Sequence, residues 1–196
     1  MKKSWIILIV VVVLIFIGYS SIKGIYNSMV TGSEQVDAQW AQVENVYQRR
    51  ADLIPNLVAT VKGYAEHEKE TLEAVINARA KATSTTIDAG NMNPAALQQF
   101  QQAQEGLSSA LSRLMVVVEK YPDLKANQNF LELQAQLEGT ENRITVERMR
   151  FNEEARSYNT NVKQFPNNIF AGVFNFDEKA YFQAVPGAET APKVEF

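Results

Sequence analysis

His67 is the single histidine of the chain, and Glu66, Glu68 and Glu70 stand around it. Imidazole and carboxylates together can ligate a divalent metal or relay a proton. Their spacing argues against both roles, because successive helical residues point in different directions and this run does not converge. One histidine also excludes the HExxH motif and the paired Glu-x-x-His motifs of di-iron bundles. Tyr64 occupies the position where a Glu-x-x-His ending at His67 would need its glutamate. A Ser-His-Asp triad would have to use His67, and no nucleophile-elbow sequence accompanies it. There is no P-loop or dinucleotide fingerprint. Gly63, Gly106 and Gly139 fall one in each long helical segment, where close backbone approach is expected rather than phosphate cradling, which needs clustered loop glycines. Without cysteine, disulfides and thiolate metal sites are impossible. These residues imply no catalytic site, metal or cofactor.

The elements that position side chains are helical. Val36, Trp40, Val43, Tyr47, Arg50, Ile54, Leu57, Val61 and Tyr64 recur in alternating steps of four and three. A second series runs Leu97, Phe100, Gln104, Leu107, Leu111, Leu114, Val118, and a third runs Phe130, Leu137, Ile144, Phe151, Tyr158, Phe165. Such stripes are the seams of amphipathic helices packed at a shallow angle. Sustained alternation of period two is missing, so no sheet is expected. Thr31-Gly32-Ser33-Glu34 has the form of a capping box. The polar stretch 83–94 reads as a loop, with Pro94 suited to a first helical turn. Tyr121-Pro122-Asp123 separates the second helix from the third, and Phe165-Pro166-Asn167-Asn168 ends the third. Three helices of about 75, 40 and 60 Å follow from 1.5 Å per residue. The expected fold is all-α: an N-terminal transmembrane helix, then an elongated up-and-down bundle of three long helices, plus a short C-terminal helix or hook. The domains read as an anchor over 1–30, a bundle over 31–183 and a loose tail over 184–196.

Arg50 occupies a core position of its stripe. In an up-down-up bundle the first and third helices run parallel, and equal rise per residue from Ser33 and Asp123 puts Arg50 beside residue 140. The expectation is a semi-buried ionic layer linking Arg50 or Arg49 with Glu141, with Arg148, Asp52 and Asn142 nearby. Its best-attested role is fixing register rather than adding stability. The plain alternative leaves both arginines at the solvent edge, their stems covering apolar surface. Pro55 lies inside the same pattern and marks a bend that releases the carbonyl of Ala51 to a side chain or water.

The chain opens MKKSWIILIVVVVLIFIGYSSIKGIY, with unbroken apolar residues from Ile6 to Ile17 and a softer run through Ile22 and Ile25. Spanning takes about 20 predominantly apolar residues. Trp5 and Tyr19 or Tyr26 stand where interfacial aromatics belong. Gly18-Tyr19-Ser20 matches a signal-peptidase site weakly, so an uncleaved anchor is expected. Lys2 and Lys3 outweigh Lys23, placing the N-terminus in the cytoplasm and the bundle outside a bacterial cytoplasmic membrane. Beyond Lys23 the chain carries 16 basic residues against 22 acidic ones. That balance lacks the basic footprint of a nucleic-acid binder.

Phe165, Phe170, Phe174, Phe176, Tyr181 and Phe182 concentrate rings near the C-terminus. They either close the end of the bundle or form a contact patch for another subunit, a membrane partner or the bilayer. With parallel first and third helices the patch lies far from the anchor, which favours subunit or partner contact.

RRADLIPNLVATVKGYAEHE (49–68), EKYPDLKANQNFLELQAQLEGTENRI (119–144), SYNTNVKQFPNNIFAGVFNF (157–176) and KAYF (179–182) together closely resemble the LemA family. The resemblance covers about residues 25–183. It implies a bacterial protein with an N-terminal membrane helix and a helical bundle, and brings no established activity or assigned catalytic residues. Members often sit beside genes for membrane metalloproteases or other small envelope proteins, and one relative belongs to magnetosome membranes. The function expected is a non-enzymatic scaffold or adaptor, self-associating and contacting other membrane proteins. The competing readings are an accessory factor of membrane protein quality control, a metal or ligand sensor, and a hydrolytic protein.

Overall fold

A computed structural model describes residues 3–87 and 92–183, which form six helices and no strand. The protein is all-α. Helix α1 (Lys3–Lys62) is a single rod of 60 residues, about 90 Å long at 1.5 Å per residue. Residues 3–24 of this helix are exposed on every side and include a strongly apolar stretch of 18 residues. It is long and apolar enough to cross a membrane. Thr31-Gly32-Ser33-Glu34, expected to begin a helix, lies inside this rod. A capping box needs orphan N–H groups, and a helix arriving already formed from the apolar segment leaves none.

The stretch expected to continue as one helix up to the 83–94 loop instead breaks at residues 63–68. Gly63, a poor helix former, follows Lys62, and the amides of Tyr64 and Ala65 both turn back onto the Val61 carbonyl. Helix α2 (Lys69–Ser84) then returns along α1. Helix α3 (Pro94–Val118) starts with Pro94 in its first turn and Asn93 capping the Ala96 amide at 2.9 Å. The Tyr121-Pro122 break contains a one-turn helix, α4 (Pro122–Lys125). Helix α5 (Gln128–Lys163) is capped by Asn127 on the Phe130 amide at 3.0 Å. Helix α6 (Asn167–Phe174) ends at Asn175 in the left-handed conformation, φ 58°.

The extra reversal at 63–68 changes the direction of everything after it. Four contacts show α5 antiparallel to α1: Asn161 to Ser28 at 3.0 Å, Glu147 to Gln39 at 2.8 Å, Glu141 to Arg50 at 2.7 Å, and Asn127 to Tyr64 at 3.0 Å. The parallel arrangement expected from three helices is therefore incorrect. The C-terminal end of α5 and α6 lie beside the anchor end of the bundle, not at its far end.

The apolar stripes face inward almost throughout. Only Tyr64 and Phe165 of the three series are exposed, both lying past the ends of their helices. The core forms two clusters. The anchor-side cluster gathers Trp40, Tyr47, Phe100, Phe151 and Phe182, with the Trp40 ring 5.2 Å from Phe100 and 5.6 Å from Phe151. The far cluster gathers Ile54, Leu57, Leu72, Leu107, Leu114 and Phe130. Gly106 and Gly139 have open space where a Cβ would sit, so close approach does not explain them. The glycine under pressure is Gly32, whose Cβ would stand 3.2 Å from Cδ2 of Tyr158.

Candidate functional site

Between the two apolar clusters lies one polar cross-section. Arg50 on α1 is 1% exposed and spends its guanidinium on three side chains and a carbonyl. Nη1 donates to Glu141 Oε1 at 2.7 Å and to Ser108 Oγ at 2.9 Å. Nη2 donates to Gln104 Oε1 at 2.6 Å and to the Gln104 carbonyl at 3.3 Å. Its carbon also sits 5.1 Å from the centre of the Tyr47 ring. Gln104 passes the chain of bonds on, its amide donating to the Ala82 carbonyl at the end of α2 at 3.2 Å. All four long bundle helices meet here. Charge-assisted bonds to several acceptors offset the desolvation that a buried guanidinium otherwise suffers, while Nε alone is left buried without a partner.

Arg49 and Asp52, expected in this layer, lie outside it, whereas Arg148 stands at its edge against Tyr47. Arg49 and Asp52 are exposed, because neighbours one and two positions from Arg50 point off its face, and Asp52 accepts from Gln48 at 2.7 Å instead. Arg148 is two turns from Glu141. It covers the Phe182 ring at 4.6 Å and donates to the Gln183 carbonyl at 3.2 Å. Burial pushes the Tyr47 phenol above its ordinary range, against the pull of Arg148 and Arg50. Burial likewise raises the Glu44 carboxyl. The Trp40 indole N–H draws it partly back, but that N–H makes no bond of standard geometry, so desolvation prevails.

Pro55 sits inside α1 without ending it. The carbonyl it deprives of a partner belongs to Ala51, and Arg79 of α2 donates its Nε to that oxygen at 2.7 Å. A second helix thus supplies the bond that the proline removes.

A strap closes the anchor-side cluster. After α6, residues 176–183 are neither helix nor strand and run beside α5. Asn159 grips Lys179 through both backbone groups, each at 2.8 Å, and Asn152 grips Phe182 at 3.0 and 2.9 Å. Lys179 reaches Asp37 on α1 at 2.9 Å.

The strap divides the aromatic residues. Phe182 is a core residue, its ring 5.5 Å from Phe151 and 6.0 Å from Trp40. Phe170 and Phe176 are half-buried, and Phe165, Phe174 and Tyr181 are exposed. Phe174 and Phe176 meet Tyr26 of α1 edge-on at 5.1 and 5.6 Å. The six rings therefore do not make one patch.

His67 is exposed in the 63–68 turn, and Glu68 is engaged by the Tyr121 hydroxyl at 3.2 Å. Among the described residues no three histidine, aspartate or glutamate side chains gather as a metal site. A cleft of about 560 Å³ between α3 and the strap is lined by glutamines, Glu105, Glu178, Lys179 and Tyr181. It brings together no nucleophile–base pair.

The model of the LemA family matches residues 39–196. The chain belongs to the LemA family. It is 29% identical over 186 residues to magnetosome protein MamQ 2 of Paramagnetospirillum magneticum, covering 84% of this chain and 67% of the relative. Magnetosome protein MamQ of Magnetospirillum gryphiswaldense is 27% identical over the same shares. Protein LemA of Metamycoplasma hominis is 24% identical over 158 residues, 81% of this chain and 68% of that protein.

In this LemA-family chain the polar positions of these networks that sequence reasoning missed are Gln104, Ser108, Arg79, Asn152 and Asn159. Gln104 carried a signal, being a polar residue inside an apolar stripe, as Arg50 was. Asn152 and Asn159 carried a fainter one: they stand seven apart, next to the stripe residues Phe151 and Tyr158. Arg79 carried none, because the 63–68 turn that brings α2 against Pro55 was not recognised.

Proposed function

We propose that the protein is a membrane-anchored, non-enzymatic helical scaffold or adaptor that acts through protein–protein contact and self-assembly in the bacterial envelope. The supporting observation is how the polar interior is used. Arg50, Gln104, Asn152 and Asn159, the groups that could have formed a reactive centre, all bond to other parts of the bundle itself. A bundle so committed presents a rigid surface on a rod rather than a reactive pocket. The relatives named as magnetosome proteins accord with work at a membrane compartment. By the lysine balance at its two ends, the span lies in the cytoplasmic membrane with the bundle on the extracytoplasmic side.

The test is the mass of the full chain extracted from membranes in native nanodiscs or mild detergent. Assemblies of more than one copy, or reproducible heteromeric complexes, are expected. Recovery of the chain alone at monomer mass removes the scaffold reading.

A further inference from the structure

The lowest point of the bundle, relative to the membrane, is α6. The chain descends along α5, with Tyr158 against Gly32 and Asn161 on Ser28. It turns through α6, where Phe174 and Phe176 pack on Tyr26, and climbs again until Lys179 reaches Asp37. The height of Tyr26 is fixed by the span, because α1 is continuous through both. About 20 helical residues cross the hydrocarbon, so a span beginning at Trp5 ends at Gly24. Tyr26 then stands roughly 3 Å above the hydrocarbon boundary at 1.5 Å per residue, and α6 beside it lies at headgroup level.

The composition of α6 suits that depth. Its sequence, NNIFAGVF, has no charged residue. Ala171 faces the bundle, whereas Phe165 before the helix and Ile169 and Val173 within it are 81, 56 and 67% exposed. Ile169 and Val173, four apart within the helix, share one stripe, and the exposed Phe165 stands in the turn that leads into it. Together the three side chains present on the order of 400 Å², about half of the ~800 Å² that one partner gives a stable protein interface. A second copy is therefore a poor occupant, while the bilayer is beside the stripe in every molecule. Lys163, four residues before α6, is paired with Glu178 at 2.6 Å, and α6 itself carries no charge, so the contact of the helix is apolar.

We propose that α6 is a membrane-interface helix, laying Phe165, Ile169 and Val173 into the boundary between phospholipid headgroups and acyl chains. Amphipathic helices at such interfaces bury their apolar face about 5–10 Å deep. The span and α6 then hold the bilayer at two points, which sets the tilt of the rod. A single helix would leave it free to swing.

This inference rests on α1 crossing the membrane, and the experiment separates the two. The chain has no cysteine, so Val12→Cys, Ile169→Cys, Val173→Cys and Lys120→Cys each accept one environment-sensitive fluorophore. The full-length variants go into phosphatidylcholine vesicles carrying nitroxide-labelled lipid. Quenching at 169 and 173 is expected at least about threefold above that at 120, and strongest with shallow nitroxides, as for a helix at the interface. Val12 should respond most to deep ones. If Val12 is quenched while 169 and 173 match 120, α6 lies in water and the proposal falls while the anchor stands. If all four are unquenched, the anchor fails and takes the proposal with it. A blue shift at 173 that grows with protein density and ignores nitroxide lipid assigns the face to a second copy and overturns the proposal. Because these side chains are exposed, unchanged thermal unfolding of the labelled chains checks that the fold is intact.

Discussion

Arg50 and Glu141 are 2.7 Å apart although one is 1% exposed and the other 45%. A fully enclosed cation is thus joined to a carboxylate that keeps one side in water. The pair sits where the two apolar clusters meet, and this asymmetry decides what each half is worth.

Truncating the arginine should cost more than truncating the glutamate. Arg50→Ala leaves a hole and an unpaired buried Gln104 amide oxygen, while the half-solvated carboxylate rehydrates, and is expected to destabilise by about 3–5 kcal/mol. Glu141→Ala removes a half-solvated acceptor from an arginine that retains Gln104 and Ser108, and about 1.5–3 kcal/mol is expected. Denaturant unfolding of both singles and the double should give a coupling energy. Additive effects would mean that the two do not act as a pair.

Arg79 and Pro55 should be coupled through a single carbonyl. Arg79→Met removes the donor to Ala51 and should cost roughly 1–2 kcal/mol. In a Pro55→Ala background the restored amide can reach the same oxygen, so Arg79→Met should then cost measurably less. An equal cost in both backgrounds would show that the Arg79 bond does not replace the one lost to proline.

Glycine replacements should split by location. Gly106→Ala and Gly139→Ala meet open space and should each stabilise by about 0.5–1 kcal/mol through helix propensity. Gly32→Val adds bulk where even a Cβ stands 3.2 Å from Tyr158, and should lower the melting temperature. A stabilised Gly32→Val would show that α1 and α5 are not tightly apposed there.

Glu44 provides a pH test. Burial raises its folded pKa above 4.5, so folding favours the neutral carboxyl. Its relative contribution is fully present below the unfolded pKa and is lost as pH rises through the folded one. Glu44→Gln mimics the neutral form and should raise the melting temperature at pH 7–8, with the gain vanishing below about pH 4. A gain that persists unchanged at low pH would point to a cause other than ionisation.

The sequence by itself determined the helical class, the long apolar N-terminal stretch, the buried faces of α1, α3 and α5, and the presence of Arg50 in the first of them. Residue periodicity reports these directly, since burial recurs with the pitch of the helix. It carries no sense of direction. A stripe with steps of three and four reads alike in parallel and antiparallel partners, and only the connections choose between them. Here the choice lay in the turn at 63–68, where Gly63 interrupts a pattern that otherwise continues as helix. Arg50 meets Glu141 in either arrangement because both lie near the middle of the packed length, where the two registers cross. Near the ends the registers diverge most, so tertiary structure alone brought α6 down beside Tyr26, gave Arg79 to the carbonyl freed by Pro55, and drew Phe182 into the core.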